Sequence, residues 1–256
     1  MPNRLLVRYT FRHGAVHNPD DRMARYVVRL STALGDLRIS AHYATRARQP
    51  YAERLYFIRL TASHLREIVF LIDPEPRGPI PTVDDFLKSL PRGTTPSRAE
   101  IRRSHRKAMR LLEKPMAKGR PPITTRKGKQ RHPKLRDDLK MLRNGFFHYS
   151  HLEHGDDALI GAMRALGGES AEYVVRQQTL RAGYADDIAS TLAHPFPHRQ
   201  RAEFSCDMHG RIVEFLDPVA TLIQQIEAAW LAAHADDVIA RIPGRRPITL
   251  AQYLKA

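Results

Sequence analysis

Residues 135–151 read L-R-D-D-L-K-M-L-R-N-G-F-F-H-Y-S-H. Apolar side chains recur at Leu135, Leu139, Leu142, Phe146 and Tyr149, in steps of four, three, four and three. That alternation follows the turn of an α-helix and predicts an amphipathic helix of about four to five turns. Near its C-terminal end stand Arg143, Asn144, His148 and His151. Asn144, His148 and His151 are four and three residues apart and share a stripe, with Arg143 about 100° round the axis from Asn144. A guanidinium, a carboxamide and an imidazole are thereby held beside an apolar seam. Such a seam must be buried against other elements, and the neighbouring sequence supplies helices to bury it.

The same periodicity returns on both sides. Met23, Val27, Leu30, Leu34 and Leu37 predict a helix running to about Arg48, with Asp20 or Asp21 as N-cap and Gly35 as a weak point. Leu55, Ile58, Ala62, Leu65, Val69 and Ile72 predict a helix over 51–73, opened by Pro50 and ended by Asp73-Pro74. A proline-rich connector at 74–81 leads to a short helix at Asp84–Leu90. A third long helix at about 98–114 is capped by Ser97 or Thr95 and turns Ile101, Ala108, Leu111 and Leu112 inward. Residues 115–133 carry four prolines, two glycines and many cations, and read as a basic surface loop.

The C-terminal half is more mixed. A short helix is expected at 155–166, stopped by Gly167-Gly168. Residues 171–182 are rich in Val, Tyr, Thr and Gln and read as one strand or two. Arg201–Asp207 and Arg211–Leu216 alternate as a hairpin would, about Met208-His209-Gly210, with Cys206 packed in the first strand. Asp217-Pro218 reads as the cap and first-turn proline of a last helix to about Ile242, with Ala220, Ile223, Ile226, Trp230 and Ala233 inward. A short strand at Leu5–Phe11 and a peripheral tail from Pro243 complete the chain. The expectation is one mainly α domain over 1–256: a helical bundle with a basic loop at 115–133 and a small β insertion at about 171–216 in the C-terminal half.

The net charge of +15 and the isoelectric point near 10.3 point to an acidic polymer as partner. The charge is uneven. Residues 100–136 hold 14 Lys and Arg against Glu100 and Glu113 alone. Arg102, Arg103, Arg106, Lys107 and Arg110 fall on the third long helix, and Arg126, Lys127, Lys129 and Arg131 on the loop after it. These nine are the expected phosphate contacts to RNA, which carry affinity rather than sequence information. The single Cys206 excludes an intrachain disulfide and a multi-cysteine zinc site, and fits a cytoplasmic setting. No apolar run approaches a membrane span, so no membrane partner is expected.

Arg143-Asn144-x3-His148 resembles the signature of the HEPN superfamily, in which an arginine, often followed by Asn, Asp or His, precedes a histidine by a few positions. Three other Arg–His pairs share the spacing: Arg8–His13, Arg12–His17 and Arg59–His64. The first two lie in a segment without helical periodicity, and Arg59 is followed by Leu60. Only Arg143 combines a polar follower with an amphipathic helix. The resemblance covers the motif helix specifically and the surrounding helices by pattern. It implies a HEPN-like bundle and a metal-independent ribonuclease, with no metal and no cofactor. It also implies a homodimer with a composite active site, an antitoxin or other regulatory partner, and a role as a toxin or phage-defence effector. Ser150 stands where nuclease toxins of this kind tend to carry a tyrosine, and Tyr149 is adjacent.

The chemistry of the residues agrees. RNA offers its own nucleophile, the 2′-OH beside each phosphate. His148, with an ordinary pKa near 6.5, suits the base that takes its proton. Arg143 suits the phosphoryl oxygens, and Asn144 the imidazole or the phosphate. Tyr149 and His151 are supporting groups. Five residues on a helix are about 7.5 Å along and about 140° round, so one Arg143–His148 pair cannot easily clasp a single phosphate. Pooling of two motif helices would supply the missing reach, and Gly145 permits close backbone approach. The alternative function is a non-catalytic RNA-binding or scaffold protein using the same bundle and basic segment.

Overall fold

A computed structural model describes residues 8–44, 51–74, 80–115, 123–124, 128–139, 173–176, 179–182, 198–242, 244 and 246–255. The protein is mainly helical with a small antiparallel sheet. In chain order the elements are β1 (Arg8–Phe11), α1 (His13–Val16), α2 (Arg22–Ala44), α3 (Tyr51–Ile72), α4 (Val83–Ser89) and α5 (Arg98–Glu113). Then come β2 (Ile123–Thr124), β3 (Gln130–Arg131), a helix α6 described over 135–139, β4 (Tyr173–Arg176) and β5 (Thr179–Ala182). The last are α7 (His198–Ala233), β6 (Val238–Arg241), β7 (Ile248–Thr249) and α8 (Leu250–Lys255). Among the described residues no helix is long and apolar enough to cross a membrane.

Local chemistry explains the helix starts. The Asp21 carboxylate accepts from the Met23 backbone N–H at 2.7 Å and caps α2. Thr82 and Asp85 form a reciprocal capping box on α4, each accepting from the other's backbone N–H at 3.0 Å. Ser97 and Glu100 do the same on α5.

The chain forms two compact units, each discontinuous in sequence. One comprises residues 1–34, 68–109 and 216–256, the other 35–67 and 110–215. The unit boundaries fall inside α2, α3, α5 and α7. In the first unit Tyr26, Val27, Leu30, Ile68, Ile72, Phe86, Ile101, Leu222, Ile226 and Trp230 are buried together with their neighbours. The Phe86 ring lies 6.4 Å from Tyr26 and 6.3 Å from Trp230, so α2, α4 and α7 meet there. Three polar side chains of this core find backbone partners. Tyr26 Oη donates to the Leu71 carbonyl at 3.0 Å, Trp230 Nε1 donates to the Val16 carbonyl at 2.9 Å, and His105 Nε2 lies 3.0 Å from the Ile72 carbonyl. The three-stranded sheet belongs to this unit. β6 is central, pairing with β1 (Arg8 opposite Arg241, Phe11 opposite Val238) and with β7 (Ile239 opposite Thr249).

In the second unit Leu37, Ala62, Leu65, Leu112, Leu135, Leu139, Ile212 and Phe215 are buried. The Tyr43 and Phe57 rings stack at 4.9 Å. Two hairpins lie here: β2 with β3, and β4 with β5, in which Tyr173 faces Ala182. The second hairpin falls inside 171–182, the segment whose composition predicts strands.

Three expectations are corrected. Residues 201–216 are not a hairpin, and α7 does not begin at Asp217. One helix runs from His198 to Ala233, with Cys206 and Gly210 inside it and Pro218 buried in its interior. Ile212 and Phe215 are buried in the second unit and Val219, Leu222, Ile223, Ile226 and Trp230 in the first, all at helical spacing, so helical burial overrides both the short alternation and a proline that costs roughly 3 kcal/mol mid-helix. The last helix stops at Ala233 rather than near Ile242, because residues 238–241 extend to pair with β1. His13–Val16 form a helical turn in the segment without helical periodicity, and Arg8–Phe11 of the expected strand is a strand, residues 5–7 lying outside the described residues. The helices expected at 155–166 and beyond 139 lie outside the described residues.

Candidate nucleic-acid interface

The basic helix α5 has two sharply different sides. Ile101, Ala108 and Leu112 are completely buried, and His105 reaches the end of α3, which fixes how the helix is rolled. Arg102, Arg103, Arg106, Lys107 and Arg110 are all exposed on the other side. The whole helix bears six cations against Glu100 and Glu113. Glu100 sits in the first turn, where the helix dipole favours an anion. Hydrogen bonds from the Ser97 side chain and backbone, with Arg103 nearby, hold its carboxyl below the usual range. Arg102 Nε lies 3.6 Å from Asp84 Oδ1, but both side chains are more than half exposed, so the pair contributes little. Arg106 Nε donates to the Arg102 carbonyl at 3.4 Å, which lays its chain along the helix surface.

Among the described residues following α5, two short strands pair. β2 and β3 pair across a turn in which Gly128 adopts φ +72°, a conformation that suits glycine. The base of the excursion is closed by a bridge between Pro115 and Lys134. Charges reinforce that closure. Glu113, at the end of α5, pairs with Lys134 Nζ and with Arg136 Nε, the latter at 3.0 Å. Arg131 grips Asp137 with both Nη atoms, at 2.6 and 2.7 Å, and the Lys134 backbone N–H donates to the same carboxylate at 2.9 Å. Burial pushes the Asp137 carboxyl up, but the Arg131 and Lys134 hydrogen bonds outweigh it and leave the group below its usual range. Arg131 is correspondingly held as the cation.

The described cations of 100–136 include two contrasting sets. Those on α5 point to solvent. Arg131, Lys134 and Arg136 engage the protein's own carboxylates and fix the start of α6. Arg131, expected to contact phosphate, has its guanidinium fork occupied by Asp137. Lys129 is exposed beside it. Arg126 and Lys127 lie outside the described residues.

The catalytic candidates Arg143, Asn144 and His148, with the supporting Tyr149 and His151, also lie outside the described residues. What is described is the entry into their helix. Leu135 and Leu139 are buried, as the seam requires. So is Asp138, at 2 % exposure, five positions before Arg143. A buried carboxylate needs hydrogen-bond or ionic partners, and Asp138 has them. The expected site set omitted Glu113, Asp137 and Asp138. For Asp138 a signal existed: it lies three residues after Leu135 and one before Leu139, on the inward side. For Glu113 none did, because chain reversal at 115–134 brings Lys134 and Arg136 to it; the partners of Asp137, Arg131 and the Lys134 backbone, lie within six residues of it. No group of three metal-ligating side chains occurs among the described residues. Comparison of the chain with protein-family models, curated proteins and solved structures finds no match.

Proposed function

We propose that the protein is an endoribonuclease that binds RNA through the exposed cation face of α5 and cleaves it by attack of the 2′-OH on the adjacent phosphorus. The observation that carries the binding half is that face. Five exposed cations stand opposite a fully buried seam, in the segment that precedes the Arg143–His148 motif in sequence. The cleavage half is supported by the residue types of the motif. His148 takes the 2′-OH proton, the oxygen attacks phosphorus, and the 5′-oxygen leaves with a proton. The products are a 2′,3′-cyclic phosphate and a 5′-OH. Arg143 neutralises the phosphorane oxygens, Asn144 orients the imidazole or the phosphate, and two chains pool their motif helices. The internal nucleophile makes a metal unnecessary to this route.

The cation face alone would serve a non-catalytic RNA-binding protein equally well, and one experiment separates the two. Wild-type and His148→Ala proteins are incubated with labelled RNA in EDTA. Wild type should leave 2′,3′-cyclic phosphate ends, with specific activity falling on dilution below the dimer range. The variant should lose at least about a hundredfold, the usual scale of general-base catalysis. Binding without cleavage would refute the nuclease; cleavage that needs a divalent ion, or an undiminished variant, would refute the metal-independent route through His148.

A further inference from the structure

We infer that the outer face of α5 is a docking surface for the phosphate backbone of base-paired RNA, not for the bases of a single strand. This deepens the ribonuclease reading, on which it rests, by naming its substrate class.

The charge arrangement is the first ground. Arg102 and Arg106, Arg103 and Lys107, and Arg106 and Arg110 are four residues apart; Arg103 and Arg106, and Lys107 and Arg110, are three apart. Each such like-charge neighbour pair destabilises the helix, and a polyanion laid along the face relieves all of them together. From Arg103 to Arg110 the helix rises about 10.5 Å, enough to reach more than one phosphate of a strand. Four of the five cations are arginines, whose planar forks match phosphate oxygens.

The second ground is independent and concerns what is missing from the sequence. From Leu87 to Gly145 there is no Phe, Tyr or Trp, although the chain has 9 Phe, 9 Tyr and 1 Trp. Surfaces that hold single strands stack the unpaired bases on aromatic rings. The cation face of α5 has no Phe, Tyr or Trp to offer, on the helix or in the segments flanking it, and the ring of His105 is turned to the Ile72 carbonyl. In a duplex the bases are already stacked on one another, and the backbone is what a cationic helix meets. The buried Ile101 and Ala108 hold the row in a fixed orientation, which suits a rigid target.

The test uses the full chain and RNA that cannot be cut. Fluorescence anisotropy measures binding of a 2′-O-methyl RNA duplex of about 20 base pairs, one of its strands alone, and a DNA duplex of the same sequence. The RNA duplex should bind more tightly than the single strand and at least as tightly as the DNA duplex. Replacing Arg103, Arg106 and Arg110 together by alanine should flatten the log–log salt dependence by about one unit for each phosphate that is no longer neutralised. Alanine is the better helix former, so the variant should keep its helical circular dichroism. Single-strand binding as tight as duplex binding, an unchanged salt slope in the folded variant, or preference for DNA overturns the inference. Cleavage of unmodified RNA is scored separately. Duplex binding without cleavage refutes the nuclease and leaves this surface; cleavage with equal single-strand binding refutes this surface and leaves the nuclease.

Discussion

Asp137→Asn should destabilise the protein by about 1–2 kcal/mol, a figure that follows from the contacts at the start of α6. The native carboxylate receives both Arg131 Nη atoms at 2.6 and 2.7 Å and the Lys134 backbone N–H at 2.9 Å. Asparagine keeps one acceptor oxygen but turns an amide N–H toward the second Nη, so at least one charge-assisted bond is broken. Such bonds contribute about 1.5–3 kcal/mol when shielded from water, and exposed ion pairs about 0.2–1. Arg131 and Asp137 retain 37 % and 24 % of their side-chain exposure, which places the loss between those limits. With a urea slope of about 3 kcal/mol per molar, the unfolding midpoint should drop by about 0.3–0.7 M. A double-mutant cycle with Arg131→Met should show coupling of at least about 0.5 kcal/mol. The pH dependence has a definite sign. The folded carboxyl lies below its usual range. Its stabilisation is therefore complete above the unfolded value of about 3.9 and is lost as pH falls through the lower folded value. The gap between wild type and variant should be full at pH 7 and should close in acid. A gap under about 0.3 kcal/mol at pH 7, additive single mutants, or a gap that persists below both pKa values would refute the reasoning.

Two further perturbations probe the first unit. Tyr26→Phe removes a buried donor to the Leu71 carbonyl and should cost about 1–2 kcal/mol in urea unfolding. Burial, with Asp85 nearby, raises the Tyr26 hydroxyl well above 10, so its contribution holds below pH 10 and is lost as pH climbs toward the folded value; the variant should show a shallower alkaline loss. Thr82→Ala breaks the capping box of α4 and should lower stability by about 1 kcal/mol, with Thr82→Ser restoring most of it.

Much of the helical framework is legible in the order of residues alone. α3, α4 and α5 fall within two residues of their expected ends, and Asp21 and Ser97 cap where short polar residues precede an apolar period. These are local matters: the periodic seam and the cap lie within one or two turns of the backbone they organise. The cation face of α5 is legible for the same reason, since Ile101, Ala108 and Leu112 dictate which side is left to solvent. What could not be read was decided by partners distant in sequence. Residues 201–216 alternate well enough for strands, yet Ile212 and Phe215 are buried at the same helical spacing as Val219 to Trp230, and one helix runs through Pro218. β1 and β6 come from opposite ends of the chain, so neither could be paired from its own composition. Glu113, Lys134 and Arg136 are indistinguishable from solvated surface charges until the bridge from Pro115 to Lys134 brings the chain back on itself. The helices α3, α4 and α5 and the exposed cation row on α5 follow from the order of residues, because periodicity and capping act over a few residues. Which cations meet Glu113 and which are left for a polyanion was settled by tertiary contact, because such pairing depends on distances of a few ångströms between segments that chain reversal brings together.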